Sequence, residues 1–182
     1  MKRSTTIVLG AVIVAAIAVG LGVYLATSQP RLKEFKIETR EFGYNGPSGG
    51  PTLTVKAGET VRITLVNKGA VDHEFRLVKD KDAFLSDVQK AVEKLQAQGI
   101  KDEEGVENAP AFKEARRLQG MQLVQVGGEL DWDVDVEPGE TRTFELVITT
   151  PGTYWYVCGE LDATFPQIHA QRGMFAQIIV QP

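Results

Sequence analysis

An all-β sandwich with a helical insertion, preceded by a transmembrane helix, is the fold class this 182-residue chain predicts. Three observations predict it. Residues 7–26 are an unbroken run of small and apolar side chains. Most of the remainder alternates apolar with polar residues in short segments bounded by Gly- and Pro-containing turns. Residues 79–120 interrupt that rhythm with helical spacing. Hydrophobic residues at 43% and charged residues at 24% are a globular balance, which excludes a disordered or multi-span chain.

The N-terminal run comes first. Lys2 and Arg3 are followed by no charge until Arg31. As a helix, Ile7–Ala26 would span about 30 Å, the thickness of a bilayer's hydrocarbon core. A basic start stays in the cytoplasm and sends the rest of the chain outside. A cleaved signal peptide, with Ala26-Thr27-Ser28 as its small-residue site, is the competing expectation. Its apolar region would usually be shorter than this run, which favours an anchor. Residues 1–30 are thus expected to be a single-pass anchor with a short linker. Residues 31–182 are expected to be one domain on the extracytoplasmic side of the cell membrane.

Strands are expected where apolar residues recur at every second position. Phe35 and Ile37 do so, as do Leu53 and Val55; then Val61, Ile63 and Leu65; and later Phe144, Leu146 and Ile148. Turns are expected at residues 46–50, Lys56-Ala57-Gly58, Asn67-Lys68-Gly69, Glu137-Pro138-Gly139 and Pro151-Gly152. Within the insertion, Leu85, Val88, Val92 and Leu95 predict a helix that Gly99 could end. Asn108 and Pro110 suit the start of a second, through Phe112, Ala115 and Leu118. The insertion carries eight basic and nine acidic residues and reads as solvated.

The formal net charge of −4 argues against nucleic acid as a partner. The acidic residues concentrate late in the chain: residues 121–182 hold nine, against two basic residues. Glu129, Asp131, Asp133, Asp135 and Glu137 alternate with Leu130, Trp132, Val134 and Val136, so one strand would present five carboxylates on one face. A solvated face is one reading. A docking stripe for a basic redox partner is the other.

The chain has two histidines and one cysteine, so no intrachain disulfide can form. His73 follows a predicted strand. Cys158 ends the run Thr153-Tyr154-Trp155-Tyr156-Val157-Cys158. His169 and Met174 come next, before a final strand, Phe175 to Val180. One thiolate, two imidazoles and a weak thioether are the donors a mononuclear electron-transfer copper needs. Taken singly, each residue has an ordinary structural explanation. Jointly, chance would have to put the only Cys and both His at ligand positions.

These motifs resemble those of the cupredoxin family of type 1 blue copper proteins, in which Cys at a strand end is followed by His, Met and a strand. Gly58-Glu59-Thr60-Val61 and Asp72-His73-Glu74-Phe75 resemble the family's approach to its first histidine, and Glu137 to Cys158 its approach to the cysteine. The likeness covers residues 34–78 and 121–182 and is nearest to sulfocyanin and plastocyanin-like members. It implies a cupredoxin-like Greek-key β-sandwich. It implies one copper ion, Cu(I)/Cu(II), with His73, Cys158 and His169 as ligands and Met174 as the axial thioether. It also implies a hydrogen bond from the Glu74 N–H to the Cys158 sulfur. Two departures stand out: Leu161-Asp162-Ala163-Thr164-Phe165 lengthens the Cys158–His169 loop, and the helical insertion is extra. Glu160 or Asp162 could therefore approach the metal.

The expected function is a non-enzymatic carrier of single electrons between respiratory components outside the membrane, with a respiratory complex or terminal oxidase as donor or acceptor. In the family the second histidine opens through an apolar patch, expected here from Phe165, Pro166, Ile168, Ala170 and Phe175. Copper delivery or storage is the alternative, as is a mononuclear copper enzyme. Two histidines are too few for a multicopper oxidase, and one cysteine excludes a binuclear thiolate-bridged centre. An open-site enzyme would leave Met174 unexplained.

Overall fold

The computed structural model describes residues 32–125, 130–162 and 166–182. The expected anchor Ile7–Ala26 lies outside the described residues, and among those described no helix is long and apolar enough to cross a membrane. Two sheets form the sandwich. The first runs β2 (Gly43–Tyr44), β1 (Leu32–Arg40), β4 (Thr60–Asn67), β9 (Thr141–Val147), β6 (Leu123–Gln125) and β7 (Leu130–Asp131). The second runs β3 (Leu53–Lys56), β11 (Phe175–Gln181), β10 (Gly152–Val157), β5 (His73–Val78) and β8 (Val134–Val136). β1–β4 and β3–β11 pair in parallel; the other pairs are antiparallel.

Side chains alternate across a strand, so parity decides what faces the sandwich interior. In β4 the inward set is Val61, Ile63 and Leu65; in β9 it includes Phe144 and Leu146. In β5 it is Phe75 and Leu77, in β10 Tyr154 and Tyr156, and in β11 Ala176, Ile178 and Val180. One step of two residues beyond each of the last three sets reaches His73, Cys158 and Met174. Strand parity therefore aims three of the four expected ligands into the same interior.

The insertion departs from the sequence expectation. It comprises α1 (Lys81–Ala97), α2 (Glu103–Asn108) and α3 (Pro110–Leu118). Asp80 caps α1 by accepting from the Ala83 N–H at 3.0 Å, and Asp102 caps α2 through the Gly105 N–H at 2.8 Å. Its charges line the outside, yet Phe84, Val88, Val92, Val106 and Phe112 are at most 1% exposed. They form a second apolar core with Val78, Val157, Leu161, Ile168 and Ala170. The insertion is thus docked on the back of the second sheet rather than solvated throughout. This is why every residue of β5 is buried, on both faces. Leu85 is only partly buried, Phe84 taking the inward position, and Leu118 stays exposed.

The expected single strand over residues 129–137 is also corrected. The chain leaves the first sheet after Asp131 and joins the second at Val134. Asp133 turns to the guanidinium of Arg76 instead of solvent, because Arg76 is 2% exposed and needs a counter-charge. Glu129 lies outside the described residues.

Candidate metal centre

His73 opens β5 and Cys158 comes directly after β10, and these two strands pair antiparallel with Val157 opposite Arg76. That register sets the two side chains at the same end of the sheet. The loop after Cys158 folds back on it. The Ala170 N–H donates to the Cys158 carbonyl at 2.8 Å, the Cys158 N–H to the Met174 carbonyl at 3.1 Å, and the Met174 N–H to the His169 carbonyl at 3.1 Å. His169 begins a short 3-10 turn, His169–Arg172, which ends at Gly173 with φ of 101°. Only glycine adopts that left-handed conformation without strain, and it redirects the chain so that Met174 enters β11 facing inward.

The convergence is close. Cys158 Sγ lies 3.9 Å from His73 Nδ1 and 3.4 Å from His169 Nδ1. The two imidazole centroids are 5.0 Å apart, and donor atoms of all three residues lie within 4.8 Å of one another. With metal–sulfur and metal–nitrogen bonds of about 2.3 and 2.0 Å at roughly 110–120°, two donors on one ion stand about 3.5–3.8 Å apart. The observed separations bracket that value, so the residues fit a single small ion. The Glu74 N–H donates to Sγ at 3.4 Å, as the resemblance implies. Met174 is completely buried in the sandwich core beside Cys158.

Electrostatics suit the same purpose. Burial, then the neighbouring His169, takes His73 down to about 4, and burial also lowers His169. Both rings are therefore neutral at pH 7, the form that donates to a metal. Burial, reinforced by the carboxylates of Glu74 and Glu160, pushes the Cys158 thiol well above its ordinary range. A bound cation is the counter-charge that would deprotonate it.

Other expected neighbours fall differently. The Glu160 carboxylate turns to Arg116, 3.1 Å away, and Asp162 lies 3.6 Å from the Arg172 guanidinium. Ile168 and Ala170 are buried in the second core, so they do not form an apolar patch at the surface. Pro166 and Phe175 are half-buried, and Phe165 lies outside the described residues. The aromatic ring against His169 is instead Phe42, from the β1–β2 turn, at 5.6 Å edge to face. His169 lines a depression of about 340 Å³ whose walls include Asp72, Glu103, Glu107, Glu160 and Leu161. Two of those carboxylates come from the insertion. Asn67, read from the sequence only as a turn residue, fastens the loop ahead of His73. Its Nδ2 donates to the carbonyls of Val71 and Val136 at 2.8 and 2.9 Å.

No family model matches the chain. It is 31% identical over 134 residues to the copper-resistant cuproprotein CopI of Pseudomonas aeruginosa, covering 71% of this chain and 68% of that one. Its fold is similar to auracyanin A, a "blue" copper protein from Chloroflexus aurantiacus, with a TM-score of 0.51 and 22% identity over 82% of this chain and 99% of that one. Reduced auracyanin from Roseiflexus castenholzii gives the same TM-score at 21% identity, with 85% and 98% covered. At such identities these structures speak for the fold, while CopI speaks for descent. By sequence kinship and by fold, the chain belongs to the cupredoxin family of type 1 blue copper proteins.

Proposed function

We propose that the chain holds one copper ion through His73, Cys158 and His169, with Met174 as the axial thioether, and carries single electrons between respiratory components on the outer face of the membrane. The observation that carries this reading is the meeting of one buried thiol and two neutral imidazoles within 4.8 Å. When bound, copper supplies a one-electron Cu(I)/Cu(II) couple. The chain's part is to hold the donors still and keep water out. Cys158 is wholly buried and fixed by hydrogen bonds at its N–H, carbonyl and sulfur. Two rigid strands and a turn pinned to them hold the donor set. His169, the member of the trio lining the surface depression, is the side at which a redox partner would dock. The apolar run Ile7–Ala26 behind Lys2 and Arg3 supports a single-pass anchor with this domain outside.

Copper handling is the second reading, favoured by the relative that is named copper-resistant. The visible spectrum and redox titration of the copper-loaded protein separate the two. An intense thiolate-to-copper band that bleaches and returns with one electron supports the carrier. A colourless protein that holds only Cu(I) supports delivery or storage, and turnover of a small substrate would mark an enzyme.

A further inference from the structure

The ionic cluster on the outer side of β5 and β10 contributes none of the four metal donors. Its centre is Glu74, which is completely buried. The Glu74 carboxylate accepts from the Gly159 N–H at 2.6 Å, from Arg76 Nε at 3.0 Å and Nη2 at 3.3 Å, and from Arg116 Nη2. Glu74 is next to His73 in sequence, and Gly159 is next to Cys158. One carboxylate thus bridges the two strand ends that carry the first imidazole and the thiol. Gly159 permits the approach, since a Cβ there would stand 2.5 Å from Glu74 Oε1.

Arg116 extends the bridge to the third donor. Its Nη2 also reaches Glu160 Oε1 at 3.1 Å, and the Glu160 carbonyl accepts from the His169 N–H at 2.8 Å. A single guanidinium therefore joins carboxylates tied to all three donor segments, and it comes from α3 of the insertion. The apolar core already fastens the helices to the sheet. A buried ion pair adds little to stability compared with packed apolar groups, so its placement between donor segments points to positioning. Both contacts are made by one nitrogen, Nη2, at the tip of the guanidinium, so the latch uses the full reach of the arginine side chain, and a lysine ammonium ends about one bond short of it.

We propose that Arg116 is a positioning residue, a latch through which the helical insertion holds the segments of His73, Cys158 and His169 at their spacing and shields the thiol. Of the two readouts that test it, only the reduction potential rests on the copper reading.

The test uses the full chain in detergent with Arg116→Gln and Arg116→Lys. The first readout is the rate at which a disulfide reagent modifies Cys158, the only cysteine, in metal-free protein. Arg116→Gln is expected to react roughly tenfold faster or more, because access to a buried thiol depends on local opening. The second readout is the reduction potential of copper-loaded protein. It is expected to fall in Arg116→Gln, since a positive charge is lost while Glu74 stays. Arg116→Lys should restore the potential yet keep the fast thiol reaction, because the charge returns at a tip about one bond short of the two carboxylates. A lower Tm with wild-type thiol rate and potential would make Arg116 a staple of the fold alone and overturn the proposal. Should Arg116→Gln fail to fold, Glu160→Gln detaches one of the two carboxylates; faster thiol reaction supports the latch, and an unchanged rate overturns it. A wild type that binds copper without a charge-transfer band would sink the copper reading separately, and the thiol rate would still decide the latch.

Discussion

The Glu74 amide donates to the sulfur of Cys158 at 3.4 Å across 84 residues of sequence. Such a bond favours a thiolate, whereas burial favours the neutral thiol. The balance tips when a cation takes the place of the proton. The sulfur is thus the atom on which the proposed function turns.

Cys158→Ser tests that dependence. The copper-loaded variant should lack the intense visible band, while its far-UV circular dichroism keeps the β-sheet shape. A shorter, more strongly polar hydroxyl in this fully buried site, placed farther from the Glu74 N–H and the two imidazoles than the sulfur is, should cost about 1–3 kcal/mol, read from urea unfolding. An unchanged spectrum would show that another residue supplies the ligand.

Met174→Leu conserves volume and should cost less than about 1.5 kcal/mol in the metal-free protein. With copper bound, loss of the axial thioether removes a donor that favours Cu(II) over a bare trigonal site. The reduction potential should rise while the colour persists. A potential identical to wild type would place Met174 in the core as filler only.

Strand parity explains how much of this was legible in the sequence. His73, Cys158 and Met174 each sit two residues from an inward aromatic or aliphatic side chain, so alternation alone aims them inward. The shape of the His169 loop was not legible, because a 3-10 turn set by backbone hydrogen bonds leaves no periodic signal. Phe42 was missed for the same reason: it reaches His169 from a turn distant in sequence. The acidic alternation over residues 129–137 misled, since periodicity cannot show that Asp133 answers a buried arginine. Equally, the insertion's high charge read as solvation although the expected stripe through Val88, Val92, Leu95 and Phe112 packs on the sheet, and Phe84 takes the inward position one residue from the expected Leu85.

That second core makes its own prediction. Phe84→Ala or Phe112→Ala should destabilise the domain by about 3–5 kcal/mol in urea unfolding, the cost of emptying a fully buried aromatic site. A loss near zero would mean that the helices hang free of the sheet.

Arg76 and Glu74 are 2% and 0% exposed and hydrogen-bonded at 3.0 Å. Arg76→Met leaves Glu74 short of a counter-charge and should cost about 3–5 kcal/mol. Adding Glu74→Gln to that variant should recover part of the loss, because the uncompensated charge goes with it. Strictly additive losses in this double-mutant cycle would deny the coupling.

The last prediction concerns pH in the metal-free protein. Burial, and then His169, holds His73 down to about 4 from an unfolded value of 6.5. Between those values the unfolded chain binds the proton and the folded chain does not, so stability is lost at His73 as pH falls from 6.5 through about 4. Asp135 acts in the opposite sense. Although Asp135 is exposed, neighbouring groups strip water from its carboxylate and, with the charge of Glu74, raise it from 3.8 to about 6, so the folded state binds the extra proton and stability falls as pH rises across that window. The two slopes oppose each other between about pH 4 and 6, and a bare stability curve would hide both. Comparing wild type with His73→Gln isolates the imidazole. The gap in Tm between them should shrink as pH drops from 6.5 toward 4, because only the wild type must exclude a proton. A gap independent of pH over that range would mean that His73 is solvated in the folded protein, and the buried donor geometry would be wrong at that residue.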